Sequence, residues 1–314
     1  MNYPVFDLHC DTAYALLGQD RNSAGSLRKN AYHIDLERAE ALPGYAQCFA
    51  CFTSPLIQGV SPTVLFEREL ATIQREVHEN KKLISLAYSA AQIEENREKG
   101  KMSAILTLEG PAGIGYDPEL LQDLHLIGFR MTTLTWNERN PLAGSHLTGG
   151  GLTDQGREFV KEAQRVGMLV DVSHLSDEAF WDIMDITNGP IVASHSNSRS
   201  FCGHSRNLTD DMFQAICQTG GVAGFNQYAD FVGEKPTLDT TCDHILHMLE
   251  MDSDGKHLAL GADLDGCDRL SAGFEGIQSY PALADRLLER GLTDEMLHNL
   301  FWNNAWRVMD QCCT

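Results

Sequence analysis

The 314-residue chain is predicted to fold as an α/β protein of the (β/α)8 TIM-barrel class. Three observations carry the prediction. Eight short apolar runs have the length and β-branched character of strands. Most are followed by an amphipathic stretch of helical period. The residues able to do chemistry gather where the runs end, the face on which barrel active sites are built. The alternation alone also allows a doubly wound open sheet, which is the alternative.

The eight runs are Val5–His9, Gln47–Phe52, Ala104–Glu109, Arg130–Trp136, Met168–Ser173, Ile191–His195, Gly221–Asn226 and His257–Asp263. The helical stretches between them include Thr63–Asn80, Pro118–Ile127, Thr153–Val166, Asp177–Thr187, Asp210–Thr219 and Thr241–Met251. Thr153 is the expected N-cap of the third of these. Phe159, Val160, Ala163 and Val166 form its apolar stripe, and Gly167 closes it. Asp177-Glu178 and Asp210-Asp211 place negative charge where a helix dipole favours it. Strands alternating with helices require parallel pairing through right-handed crossovers. Leu142–Gly151 and Ser196–Asn207 read as long loops over the C-terminal face. With no linker, low-complexity block or further repeat, residues 1–314 are expected to form a single domain.

Composition narrows the function classes. The chain is 43% hydrophobic and 22% charged, which is ordinary for a globular protein. Its formal net charge is -20, which excludes a nucleic-acid duplex or an anionic membrane as partner. The first apolar stretch, broken by Asp7, His9 and Asp11, is too short for a signal-peptide core, and no run is long enough to span a membrane. The nine cysteines are scattered. Cys10, Cys48, Cys51 and Cys217 fall in apolar elements, Cys48-x-x-Cys51 is expected to be core, and Cys312-Cys313 is a tail feature. Together these point to a reducing, cytoplasmic location.

The chemistry is carried by the run ends. His9-x-Asp11 offers a nitrogen and an oxygen side by side, since residues i and i+2 share a face of a strand. Glu109 follows a wholly apolar run, and His174 and His195 close two neighbouring runs. A single histidine or carboxylate at a strand end is ordinarily just hydrogen-bonded. So many on one barrel face are costly without a cation. Two half-sites emerge, His9 with Asp11 and His174 with His195, sharing Glu109. Oxygen and nitrogen donors without thiolate favour two zinc ions per chain, with manganese, iron or cobalt as alternatives. Such a pair holds a bridging hydroxide at neutral pH and polarises a carbonyl beside it, so hydrolysis of an amide or ester is the expected chemistry. Asp263, in Gly261-Ala262-Asp263-Leu264-Asp265-Gly266, is the candidate catalytic proton carrier. Asp265, Gly266 and Asp268 are expected to shape the loop. Asn226, at the end of the seventh run, is a candidate substrate contact.

These residues resemble the membrane (renal) dipeptidase family of zinc peptidases, peptidase family M19. The resemblance rests on Asp7-x-His9-x-Asp11, His33-x-Asp35-Leu36, Leu108-Glu109-Gly110, and Gly128-x-Arg130 through Leu134-Thr135. It continues in Gly151-Leu152-Thr153 with Gly156, Gly167 through His174, Ser194-His195-Ser196, Arg206-Asn207 and Gly261-x-Asp263-x-Asp265-Gly266. It implies a barrel of the metal-dependent amidohydrolase type and a binuclear zinc site held by His9, Asp11, Glu109, His174 and His195. It further implies Asp263 as the catalytic aspartate and Arg206 as the receptor of a dipeptide's C-terminal carboxylate, a task suited to a bidentate guanidinium. One position departs. The family often has a histidine after the Leu-Thr of the fourth strand, and here Trp136 and Asn137 follow. Trp136 has one N–H donor and cannot take a proton. Both are candidate substrate contacts, with His146 and His204 as stand-ins for the missing histidine. The chain resembles the soluble bacterial branch, some of whose members favour dipeptides with a C-terminal D-residue. A homodimer is left open.

The expected function is therefore a zinc-dependent dipeptidase. One alternative keeps the metals and changes the substrate to an N-acyl amino acid, lactone or cyclic amide. Such relatives usually carry H-x-H on the first strand, where this chain has His9-x-Asp11. A second alternative is a non-catalytic metal- or ligand-binding barrel, favoured only by Trp136.

Overall fold

A computed structural model describes residues 2–18 and 25–312. Eight parallel strands close into a barrel: β1 (Val5–Cys10), β2 (Tyr45–Phe52), β3 (Met102–Glu109), β4 (Phe129–Thr133), β5 (Leu169–Asp171), β6 (Ile191–Ala193), β7 (Val222–Phe225) and β8 (Leu258–Leu260). Each pairs with the next in sequence, and β8 pairs back onto β1, so no edge is left open. All eight expected runs are barrel strands. A short extra strand, Ile84–Leu86, pairs with β3 outside the circle.

Helices Pro62–Glu79, Leu121–Ile127, Asp154–Val166, Asp177–Met184, Asp210–Gln218 and Leu238–Met251 supply the crossovers. Local sequence sets their ends. Thr153 Oγ1 accepts the Gly156 N–H at 3.0 Å, and Gly167 takes a left-handed φ of 84° as the stop. Ser61, Ser176 and Thr209 cap three further helices in the same way. Among the described residues, three helices of nine residues or more were not read from the sequence: Ala90–Glu98, Tyr280–Glu289 and Asn304–Cys312.

The apolar residues divide into two layers. Phe6, Leu8, Ala46, Cys48, Ile105, Met131, Leu169, Val192, Val222 and Ala259 fill the barrel interior. Ile93, Trp302, Ala305 and Val308 pack against that set, so helices 90–98 and 304–312 plug the N-terminal mouth. The alternate strand positions, among them Ala104, Leu106 and Leu108, meet the surrounding helices. Cys10, Cys48 and Cys51 are buried free thiols, while Cys217 is half-buried. Cys313 lies outside the described residues. Among those residues no helix is long and apolar enough to cross a membrane.

Candidate metal centre and active site

The open mouth of the barrel is built by the strand ends. On β1 the ladder to β2 advances from Asp7 opposite Gln47 to Cys10 opposite Phe49, three residues against two. Leu8 faces the interior with Phe6 as ordinary alternation requires; past it the bulge shifts the alternation, so that His9 is aimed at the barrel axis and Cys10 packs outward beside Phe49. Asp7, directed outward, is tied down by the Tyr280 hydroxyl and by the His9 N–H at 2.9 Å. Two glycines seat His195. A Cβ at Gly261 would lie 1.7 Å from the Ser194 carbonyl oxygen, and one at Gly224 would lie 2.0 Å from it. Only bare backbone lets β7 and β8 close over that carbonyl. His174 and Asp263 have left-handed φ values of 71° and 59°, a strained state concentrated at functional positions.

The metal-ligand candidates converge. His9 Nε2 lies 3.5 Å from Asp11 Oδ2 and 3.3 Å from Glu109 Oε2. His174 Nε2 lies 2.9 Å from Glu109 Oε1, and His195 Nε2 lies 3.8 Å from the same oxygen. The two imidazole nitrogens are 3.0 Å apart. The carboxylate of Glu109 thus turns one oxygen to each histidine set. Separations of this order are those of donors sharing an ion about 2.0–2.2 Å from each. His9 also faces Asp263 Oδ1, at 3.8 Å.

Burial shapes the charge. It holds His174 and His195 neutral, their pKa values well below the usual range, with Arg206 and His9 adding repulsion. It raises Glu109 to about 7, against the opposing pull of His9. For His9 burial works against protonation, yet the carboxylates of Glu109 and Asp11 outweigh it and raise its pKa. His9 Nε2 and Asp11 Oδ1 are buried and have no hydrogen-bond partner among the described residues. Three imidazoles and the carboxylates of Asp11, Glu109 and Asp263 in one buried cluster fit divalent cations and are otherwise an unrelieved expense. The second ring nitrogens are also held. His195 Nδ1 is 2.7 Å from Ser194 Oγ, which in turn donates to Asp171, and His174 Nδ1 is 3.0 Å from Asn137 Oδ1.

The remaining candidates fall into two groups. Arg206, Trp136 and Asn137 line the pocket over the centre, together with Asp11, Glu109, His174 and Asp263. Arg206 is 4% exposed and has no ion pair among the described residues; its Nη2 is 3.5 Å from the His195 carbonyl and its guanidinium lies over Phe231 at 5.4 Å. Burial lowers its pKa to about 10, so it remains a cation. A surface ion pair, the ordinary fate of an arginine, is not what this residue makes. Trp136 is a wall of the pocket, edge-on to Phe52 at 4.9 Å. Asn226 is fully buried beneath Asp263 rather than on the wall; its Nδ2 donates to Asp263 Oδ2 at 3.0 Å and to the His195 carbonyl at 3.3 Å. Asp265 accepts from Thr12 Oγ1 and His33 N, each at 2.6 Å, as a loop-shaping residue does. Tyr228, Asp230 and Phe231 also line the pocket. They sit at and within the short helix Ala229–Val232 after β7, where no periodic pattern marks them in the sequence.

The family model for membrane dipeptidase (peptidase family M19) matches residues 1–314. The chain belongs to this family. An uncharacterized dipeptidase of Schizosaccharomyces pombe, C965.12, is 30% identical over 97% of this chain and 79% of its own length. Dipeptidase verJ of Clonostachys rogersoniana is 32% identical over 72% of this chain and 60% of its own length. Among solved structures, a metallo peptidase from Rhodobacter sphaeroides, liganded with a phosphinate mimic of the dipeptide L-Ala-D-Ala, superposes with a TM-score of 0.91. It shares 22% identity and covers 99% of this chain and 100% of the other. A second metallo peptidase of family M19, dipeptidase AC, gives 0.88 at 24% identity, with 99% of each chain covered. The two structures establish the barrel fold. The M19 protein is a metallo-dipeptidase, a hydrolase acting on dipeptides.

Proposed function

We propose that the enzyme cleaves the peptide bond of free dipeptides over a binuclear zinc centre, with residues 1–314 acting as one catalytic unit. The observation that carries this reading is the division of the Glu109 carboxylate, Oε2 toward His9 and Oε1 toward His174 and His195. His9 and Asp11 would hold one ion, His174 and His195 the other, and Glu109 both. When bound, such a pair polarises a carbonyl and makes water acidic enough to attack at neutral pH.

The chain's own groups supply the rest. Arg206 is a buried cation without a carboxylate partner among the described residues, so a substrate carboxylate fulfils it. Amide cleavage needs a proton delivered to the departing nitrogen. His174 and His195 are committed as neutral ligands, and Trp136 cannot carry a proton. Asp263 reaches the centre and is oriented by Asn226, so it is the group that takes a proton from the attacking water and passes it to the amine. The dipeptide mimic bound by the Rhodobacter relative makes L-Xaa-D-Xaa peptides the first substrates to try.

The test is kinetic and analytical together. Zinc-reconstituted protein is assayed against L-Xaa-L-Xaa and L-Xaa-D-Xaa panels, with metal content measured in the same samples. Two ions per chain and a strong preference for free over amidated dipeptides are expected. Activity with one ion per chain would sink the binuclear assignment. Preference for N-acyl amino acids or lactones would move the substrate to the alternative class.

A further inference from the structure

The long loop between β4 and helix Asp154–Val166 carries two residues that the site geometry singles out. Asn137 Oδ1 is 3.0 Å from His174 Nδ1 and 2.9 Å from His146 Nε2. An amide oxygen has two lone pairs and can accept from both rings. The other nitrogen of His146, Nδ1, is 2.8 Å from Ser205 Oγ. The backbone is pinned as well: His146 N donates to the His174 carbonyl at 2.8 Å, and Ser145 Oγ donates to the Asn137 carbonyl at 2.7 Å.

The proton positions in this relay follow from its metal end. If His174 turns Nε2 toward an ion, that nitrogen keeps its lone pair, and the ring proton sits on Nδ1. The Asn137 amide must then present oxygen to His174. With the oxygen turned there, His146 donates from Nε2 and accepts the Ser205 hydroxyl proton at Nδ1. Neither His146 nitrogen is left for a substrate. The Asn137 NH2 is different. Among the described residues no acceptor takes it, and Asn137 lines the pocket above Glu109 and His174.

We propose that Asn137 is the neutral donor to the reacting carbonyl oxygen of the substrate, and that His146 is the positioning residue that fixes its amide in the donating orientation. The proposal rests on the metallo-dipeptidase reading above. It gives the pocket a hydrogen-bond donor where neighbouring Trp136 forms an aromatic wall. It also links the two ends of the substrate site, because Ser205 precedes Arg206.

The test uses the full-length, zinc-loaded enzyme and four variants: His146→Leu, His146→Gln, Asn137→Ala and Asn137→Asp. Zinc affinity is read by chelator competition, kcat and KM with one good dipeptide, and ring tautomers by 15N-histidine NMR. His146→Leu, which frees the amide that holds His174, should weaken zinc binding by up to roughly 10-fold, the lower end of what a direct partner of a metal ligand is worth. It should lower kcat more than KM. His146→Gln can still donate to Asn137 and accept from Ser205, and should restore most of both losses. Asn137→Asp keeps oxygen toward the two histidines but has no NH2. It should hold zinc as tightly as wild type and lose roughly 10²–10³-fold in kcat, the worth of one oxyanion donor. Asn137→Ala should lose both zinc affinity and turnover. NMR should place the proton on Nδ1 of His174 and on Nε2 of His146. Wild-type turnover in Asn137→Asp, unchanged zinc affinity in His146→Leu, or the reverse tautomers would each overturn the relay. A wild-type enzyme that binds zinc but cleaves no dipeptide overturns the functional reading instead, and the zinc and NMR arms still decide the relay.

Discussion

Three constraints meet in the side chain of Asp263. Its backbone is left-handed, Asn226 donates to Oδ2 at 3.0 Å, and His9 Nε2 is 3.8 Å from Oδ1. Burial raises its pKa, so the carboxyl accepts a proton more readily than a surface aspartate. Asp263→Asn keeps the volume and removes the basicity. It is expected to lower kcat by roughly 10²–10⁴, with dipeptide binding largely kept and metal content checked alongside. Near-wild-type turnover in a fully metallated variant would refute the role. Arg206 gives a complementary expectation at the other end of the substrate. Arg206→Ala should cost roughly 2–5 kcal/mol in kcat/KM, seen mainly in KM, as for a buried charge pair cut in half. Equal cleavage of amidated and free dipeptides by the wild type would show that Arg206 reads something else. His9, Glu109, His174, His195 and Asp263 were legible because each ends an apolar run. Asn226 was legible only as a polar residue at a strand end; that it turns under Asp263 rather than toward the pocket depends on backbone geometry no spacing encodes.

The strands need bracing where they end, and Glu69 shows how a helix does it. Helix 62–79 carries this carboxyl into full burial, where Oε2 accepts the Phe52 N–H at 2.5 Å at the end of β2. Oε1 has no hydrogen-bond partner among the described residues. Burial raises the Glu69 pKa well above the ordinary range, against the pull of that N–H. A group whose folded pKa is raised contributes stability that is full below its unfolded pKa and is lost as pH rises through the folded value. Glu69→Gln keeps an acceptor for Phe52 and never ionises. In urea melts of metal-free protein it should gain on wild type as pH rises above about 5, the ordinary carboxylate range, and the gain should level once the raised folded pKa is passed. A gain that shrinks as pH rises would mean that Glu69 is ionised and paired. Such a carboxylate is invisible in sequence, where Glu69 is one more acidic residue on a helix. The strands themselves were readable as runs, yet β4, β5, β6, β7 and β8 stop before their runs do. Among the extra residues, Trp136 and Asp263 line the pocket and His195 and Asp263 join the donor cluster. Helix 90–98, with the sequence AAQIEENRE, was missed because its apolar residues form no stripe; it buries Ala90 and Ile93 end-on beneath the barrel.

At the scale of the molecule, the centre exists only once the barrel closes. Its groups come from strands far apart in sequence, and His9 and Asp263, 254 positions apart, are brought together by the pairing of β8 with β1. Metal binding and folding are therefore linked, and pH should reveal the linkage. Two of the imidazoles need lose no proton, since burial already holds His174 and His195 neutral. Glu109, raised to about 7 by burial, and His9, raised by the surrounding carboxylates, share a proton that must leave before both can act as ligands. As pH falls that proton is increasingly present in the metal-free protein, so zinc affinity should fall. For one proton released the fall is about tenfold per pH unit, or ~1.4 kcal/mol of the stabilisation that zinc confers at fixed free zinc. The measurement is the difference in unfolding free energy between zinc-buffered and chelator-treated protein from pH 5.5 to 8. It should climb with pH across that range, and still climb above about 7, where the raised pKa of His9 leaves a proton for the metal to displace. In Glu109→Gln the climb should flatten, because the side chain that carried the proton no longer titrates, and the zinc-conferred stabilisation should be smaller throughout. A difference independent of pH across that range would mean that the donors are ionised before the metal arrives, with another cation compensating them inside the barrel.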